Sequence, residues 1–125
     1  MSRERIISAL LIMVGLVNFA PAVGLLGAEA LGRLYGFANL EGDLLILMRH
    51  RALLFGIVGS FIICSAFRPG LQPAAMLMAA VSMLGYIALV FLADVPGAKL
   101  NRVAMIDIIA CLPLLAAWVL YLRKP

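Results

Sequence analysis

Four apolar stretches dominate this chain, and each is about as long as a bilayer is thick. They run from about Arg5 to Gly24, Asp43 to Phe67, Leu71 to Leu92 and Leu100 to Tyr121. At roughly 1.5 Å per residue, a helix of about 20 residues crosses a hydrocarbon core of about 30 Å. Lipid offers no water to backbone N–H and C=O groups, so such a stretch must satisfy them within its own helix. Of the 125 residues, 66% are hydrophobic and 13% charged. Soluble domains hold about 45–50% apolar and about 25% charged residues, so a water-soluble core is excluded. Four spans on short connections predict an all-α integral membrane protein. Its expected form is one membrane domain over residues 1–125, an antiparallel four-helix bundle with both termini on one side.

The net charge of +4 is spread along the chain rather than clustered. Arg3 and Arg5 lie at one end, Arg123 and Lys124 at the other. That placement suits anionic headgroups and not nucleic acid, which selects a concentrated basic face. Membrane lipids are therefore the expected partners. Arg3 and Arg5 before an apolar run share the outline of a signal peptide. The run from Ile6 to Leu26 is longer than an ordinary signal core, so it is expected to be a retained span. Basic residues flanking the first span predict cytoplasmic termini.

Glycines at 24, 27, 32, 36 and 42 punctuate the link between the first two spans. Within it, Ala28 to Tyr35 mixes Leu31, Leu34 and Tyr35 with Glu29 and Arg33. This predicts a short interfacial helix that forms a collar or lid on the membrane surface. In the first span, Pro21 removes a backbone donor and predicts a kink beside Asn18. Asp43 is expected to cap the second helix. In that helix Ala52, Gly56, Ser60 and Cys64 recur every fourth residue. Such a stripe lets a neighbouring backbone approach closely, from another helix of the chain or from a second copy in a homo-oligomer. Cys64 and Cys111 fall at different depths, so no disulfide is expected.

Arg49-His50-Arg51 interrupts the second span. Ionisable groups at such depth are costly, and they pair, snorkel or serve a function. Counting about 1.5 Å per residue from each span's end puts His50, Asp107, Asn18 and Tyr86 within about 8–12 Å of one face. One polar residue from each span thus falls in one layer. Arg49 and Arg51 lie about 200° apart around the helix, so one is expected to face inward and the other to snorkel. An Arg–Asp pair between the second and fourth spans would neutralise Asp107. Three readings stay open: a headgroup anchor, a buried structural ion pair, and a ligand or proton site.

No Cys-x-x-Cys pair supports a thiol oxidoreductase. A single histidine per chain cannot supply a bis-histidine haem or a histidine-rich metal site unless two chains share it. No cofactor, metal site or catalytic residue is expected, and no paired-carboxylate signature supports an enzyme. The first span carries Asn18 and no acid, unlike the small multidrug-resistance transporters. The stretches Leu47-Met48-Arg49-His50-Arg51-Ala52-Leu53-Leu54-Phe55-Gly56 and Arg102-Val103-Ala104-Met105-Ile106-Asp107 resemble a group of small bacterial inner-membrane proteins of unknown function. In outline they are similar to DoxX-like four-helix proteins. Some of the group are labelled phosphopantetheine adenylyltransferase, a soluble nucleotide-binding enzyme whose motif has no counterpart here. The resemblance implies a four-helix fold and an inner-membrane location, and no activity. The expected function is binding of a lipophilic molecule, a lipid or a quinone, through Arg49, His50, Arg51, Asp107, Asn18 and Tyr86. A small proton-coupled transporter and a structural subunit of a larger membrane complex are the alternatives.

Overall fold

The structure, a computed structural model, describes residues 2–94 and 97–123. Those residues form five α-helices and no strand. They are α1 (Arg3–Phe19), α2 (Ala28–Tyr35), α3 (Gly42–Ser65), α4 (Gln72–Leu92) and α5 (Ala98–Leu122). Four helical segments are long and apolar enough to cross a membrane: Arg3–Leu26, Gly42–Ser65, Pro69–Leu92 and Ala98–Leu122. By length and composition this is a multi-pass membrane protein.

The termini follow local chemistry. Ser2 Oγ accepts from the Arg5 amide at α1's first turn. Pro21 has no amide proton, and the α-helical bonding stops at Phe19. The chain then tightens into a 3₁₀ segment, Ala20–Leu26, with proline at its start, so the expected kink is a change of helix type. Gly36, with φ 81°, closes α2 in the left-handed conformation that a side chain resists. The N-cap of α3 is Glu41, which makes no side-chain cap bond, and Asp43 lies in the first turn. The expected Asp43 cap is thereby corrected. Gly42 enters the helix with φ 64°, which begins the helix one residue earlier and leaves Asp43 past the capping position. α3 ends before Arg68-Pro69, because a residue preceding proline is driven out of the helical region.

Helix α1 packs against α3 and α5; α4 packs against α5 and, over a smaller surface, α3. Among the described residues α3 and α5 share at most a marginal contact. The main core joins Ile7, Leu11 and Val14 of α1 to Ile62, Met76, Met83 and Leu114. A smaller cluster of Leu31, Tyr35 and Leu40 packs with Leu45, Met48, Leu100 and Val103. It seats α2 over the starts of α3 and α5.

The tight seam between α1 and α3 runs through Gly15 and Gly59. A Cβ on Gly59 would stand 2.6 Å from the backbone N and Cα of Phe19, and one on Gly15 would stand 2.6 Å from an Ile63 side-chain carbon. The predicted every-fourth stripe is only half engaged. Ala52 is buried and Gly56 faces Ala22 and Phe19 at ordinary contact distances, but Ser60 and Cys64 are exposed. Four residues turn a helix by about 400°, so such a stripe drifts about 40° per step. After three steps it has left the interface. The buried positions Ala52, Gly59, Ile62 and Ala66 follow the seven-residue repeat instead, which keeps one face toward a neighbour. Cys64 and Cys111 are both free.

Candidate ligand cleft at Arg51

The two arginines beside His50 part, as their angular separation requires. The Arg49 Nε donates to the carbonyl oxygen of Leu25 at 3.1 Å. That carbonyl lies at the end of the 3₁₀ segment, where an intrahelical donor is lacking. His50 is exposed and, among the described residues, has no hydrogen-bond partner.

Arg51 turns inward and is half-buried. One Nη donates to the Tyr35 hydroxyl at 2.7 Å. The guanidinium carbon lies 5.0 Å from the Tyr35 ring centre, 4.7 Å from that of Phe55 and 5.8 Å from that of Tyr86. Each ring presents its negative π-face to the cation, worth about 0.5–2 kcal/mol per contact. Three helices contribute to this cage: α2 through Tyr35, α3 through Phe55 and α4 through Tyr86. Phe55 stands one turn beyond Arg51 on the same helix, at the i,i+4 spacing that brings side chains together.

Two further bonds fix the cage. The Tyr86 hydroxyl donates to the Leu100 carbonyl at 3.2 Å, tying α4 to the first turn of α5. Lys99 Nζ donates to the Gly32 carbonyl at 3.3 Å, holding α2 against α5. Tyr86 therefore supplies its ring to Arg51 while its proton is committed to the backbone.

The expected Arg–Asp ion pair is not formed. Among the described residues the one ion pair is Glu29–Arg33, on the surface of α2. Asp107 is half-buried, on the α5 face that also carries buried Ala104 and Ala110. It lies within electrostatic reach of Arg51 but not within 4.0 Å of it. The cause is the helix arrangement: Arg51 and Asp107 sit on the two long helices that barely touch.

Asn18 is not in the cage either. Its side-chain amide donates to the Val14 carbonyl at 2.9 Å, and its oxygen accepts from Ser82 Oγ at 3.0 Å. It is 3% exposed, with both ends occupied. Ser82 is one turn before Tyr86 on α4. The single predicted layer thus resolves into two, about 6 Å apart along the helix: Asn18–Ser82 below and the Arg51 cage above.

Arg51 lines a cleft of about 390 Å³. Its walls are the last turns of α4 (Tyr86, Leu89, Val90), the turn residues Ala93 and Gly97, and Leu100 of α5. Among the described residues Arg51 is the sole charged one in that lining. Tyr35 and Phe55 were not among the residues that sequence reasoning singled out for this site. The i,i+4 spacing from Arg51 was the available signal for Phe55. For Tyr35 it was its place on the apolar face of an amphipathic helix otherwise anchored by leucines. Among the described residues, no group of three His, Cys, Asp or Glu side chains is arranged to hold a metal. Comparison with protein-family models, with curated proteins and with solved structures finds no match to this chain.

Proposed function

We propose that this chain is an antiparallel four-helix bundle of a bacterial inner membrane, akin to the DoxX-like proteins, with cytoplasmic termini. In this reading it binds a lipophilic molecule, a lipid or a quinone, by its polar head in the outer half of the bundle. The observation that carries the reading is the open cleft on a caged guanidinium. Arg51 has five N–H donors and gives one hydrogen bond to the protein. A half-buried cation in a span, without a contacting carboxylate, is stabilised by whatever acceptor enters the cleft. The walls beyond it are apolar, as the body of an amphiphile requires.

Arg51 takes the head, Tyr35, Phe55 and Tyr86 orient the guanidinium, and Asp107 supplies a neighbouring negative charge. Asn18 serves helix packing, and Arg49 serves the collar. Surrounding membrane lipids are the natural source of the occupant. A homo-oligomer would use the exposed part of α3, where Ser60 and Cys64 lie.

Native mass spectrometry of protein released from membranes tests this. The expected result is a co-purifying amphiphile that is retained by the wild type and depleted in Arg51→Ala. A wild-type protein that carries no lipophile, or an identical ligand profile in both proteins, would refute the proposal.

A further inference from the structure

We infer that the Arg51 cleft selects amphiphiles whose head carries one negative charge, a carboxylate or a phosphodiester, over neutral quinones and over doubly charged phosphomonoesters. The inference rests on the lipophile-binding reading above and narrows it to a class. Three features carry it.

The first is the orientation of the guanidinium. Rings of Tyr35, Phe55 and Tyr86 lie 4.7–5.8 Å from its carbon. Aromatic rings hold the cation through its charge and take none of its N–H donors as a carboxylate would. Tyr35 takes one of those donors. The other donors remain, and a guanidinium that lines the cleft can offer two of them in parallel, the arrangement that carboxylate and phosphate oxygens accept in pairs. A quinone carbonyl presents one oxygen and no charge, so it makes only half of that contact.

The second is the charge count. Among the described residues Arg51 is the sole charged group lining the cleft, and no carboxylate lies within 4.0 Å of it. One bound negative charge gives Arg51 a contacting counter-ion. A second would have no cation of its own among the described lining residues. Lys99 is not among the residues that line the cleft.

The third is the absence of a competing donor set. Tyr86 gives its proton to Leu100, and the other lining residues are apolar or glycine. Recognition of a sugar or polyol head would need several polar side chains, and the lining lacks them.

The test uses the full chain in micelles of an uncharged maltoside detergent at about pH 8.5, where a phosphomonoester is close to doubly charged. Phosphatidylglycerol, oleate, phosphatidate and a ubiquinone are titrated separately, with occupancy read by native mass spectrometry. Phosphatidylglycerol or oleate, or both, should bind at least about tenfold more tightly than the other two, the difference expected for hydrogen bonds to a charged group. Whichever of the two binds identifies a phosphodiester or a carboxylate as the head. Arg51→Lys keeps the charge but loses the fork, and should weaken binding about tenfold. Leu89→Trp fills the mouth from an exposed position without touching the cage and should also weaken it, which covers the case of an unstable Arg51 variant. Phosphatidate binding as tightly as phosphatidylglycerol overturns the inference, as does anion binding indifferent to both substitutions. Arg51-dependent binding of ubiquinone alone overturns the inference and leaves the lipophile reading standing. Retention of none of the four overturns both.

Discussion

Replacing Gly59 by alanine puts a single methyl group into a backbone-to-backbone contact between α1 and α3. That methyl carbon would stand 2.6 Å from the N, Cα and Cβ of Phe19. Carbon atoms pack best at about 3.5–4.0 Å, so α1 and α3 must separate by about 1 Å. The obstacle is backbone, so no rotamer change relieves it. Overpacking of this kind costs about 1–3 kcal/mol. Alanine recovers about 1 kcal/mol in helix propensity over glycine, which leaves a net loss of up to about 2 kcal/mol. Gly85 of α4 supplies the control. It too lies inside a helix, but nothing stands within 4 Å of where its Cβ would be, so Gly85→Ala should be neutral or stabilising by up to about 1 kcal/mol. Unfolding in mixed micelles, followed by circular dichroism across a denaturing-detergent titration, gives both values. Gly59→Ala should be the less stable of the two by about 1–3 kcal/mol, the overpacking cost alone. Equal shifts for the two variants, or a Gly59→Ala protein more stable than Gly85→Ala, would show that α1 and α3 do not meet at Gly59.

Tyr35→Phe keeps the ring beside Arg51 and removes the hydroxyl that accepts its proton. It should destabilise the protein by about 1.5 kcal/mol, the low end for a hydrogen bond to a charged group, measured by the same titration. Asn18→Ala and Ser82→Ala should show a coupling of about 0.6 kcal/mol in a double-mutant cycle, as expected for a hydrogen bond between spans. Thiol titration of the unreduced, unfolded protein should find both Cys64 and Cys111 free, and a value of zero would contradict their separation. Asp107→Asn removes a charge that Arg51 senses but does not touch. Its effect on stability should be smaller than that of Arg51→Ala, which takes from Tyr35 the cation its hydroxyl accepts from.

The helices were legible because lipid imposes a strong constraint: a run of about 20 apolar residues has one way to satisfy its backbone. The short amphipathic helix after the first span was legible for a related reason, its mix of charged and apolar residues between glycines. The close contact of α1 and α3 was not. Glycines 15, 56 and 59 look alike in sequence, and only the actual crossing point distinguishes Gly59, pressed on Phe19, from Gly56, which has room. Depth along the membrane could be counted from residue numbers, whereas rotation and neighbour choice could not. That is why Asn18 and Tyr86 were placed near one level but assigned to one cluster. A single turn of α4 separates Ser82, the partner of Asn18, from Tyr86, the neighbour of Arg51.

The same distinction explains how the chain tolerates Arg51. Pairing with Asp107 would have required α3 and α5 to be neighbours, and α1 and α4 pack between them. With a contacting carboxylate out of reach, the cation is held by surfaces that every adjacent element can offer: the faces of aromatic rings and one phenol oxygen. A carboxylate contact would consume the edge of the guanidinium and close the site. Rings hold the cation without taking its N–H donors, and Arg51 still lines the cleft. Arg49, two residues earlier, shows the opposite outcome, since its donor is spent on the Leu25 carbonyl. The difference follows from the roughly 200° between the two positions, which points one arginine at the 3₁₀ segment and the other at Tyr35, Phe55 and Tyr86.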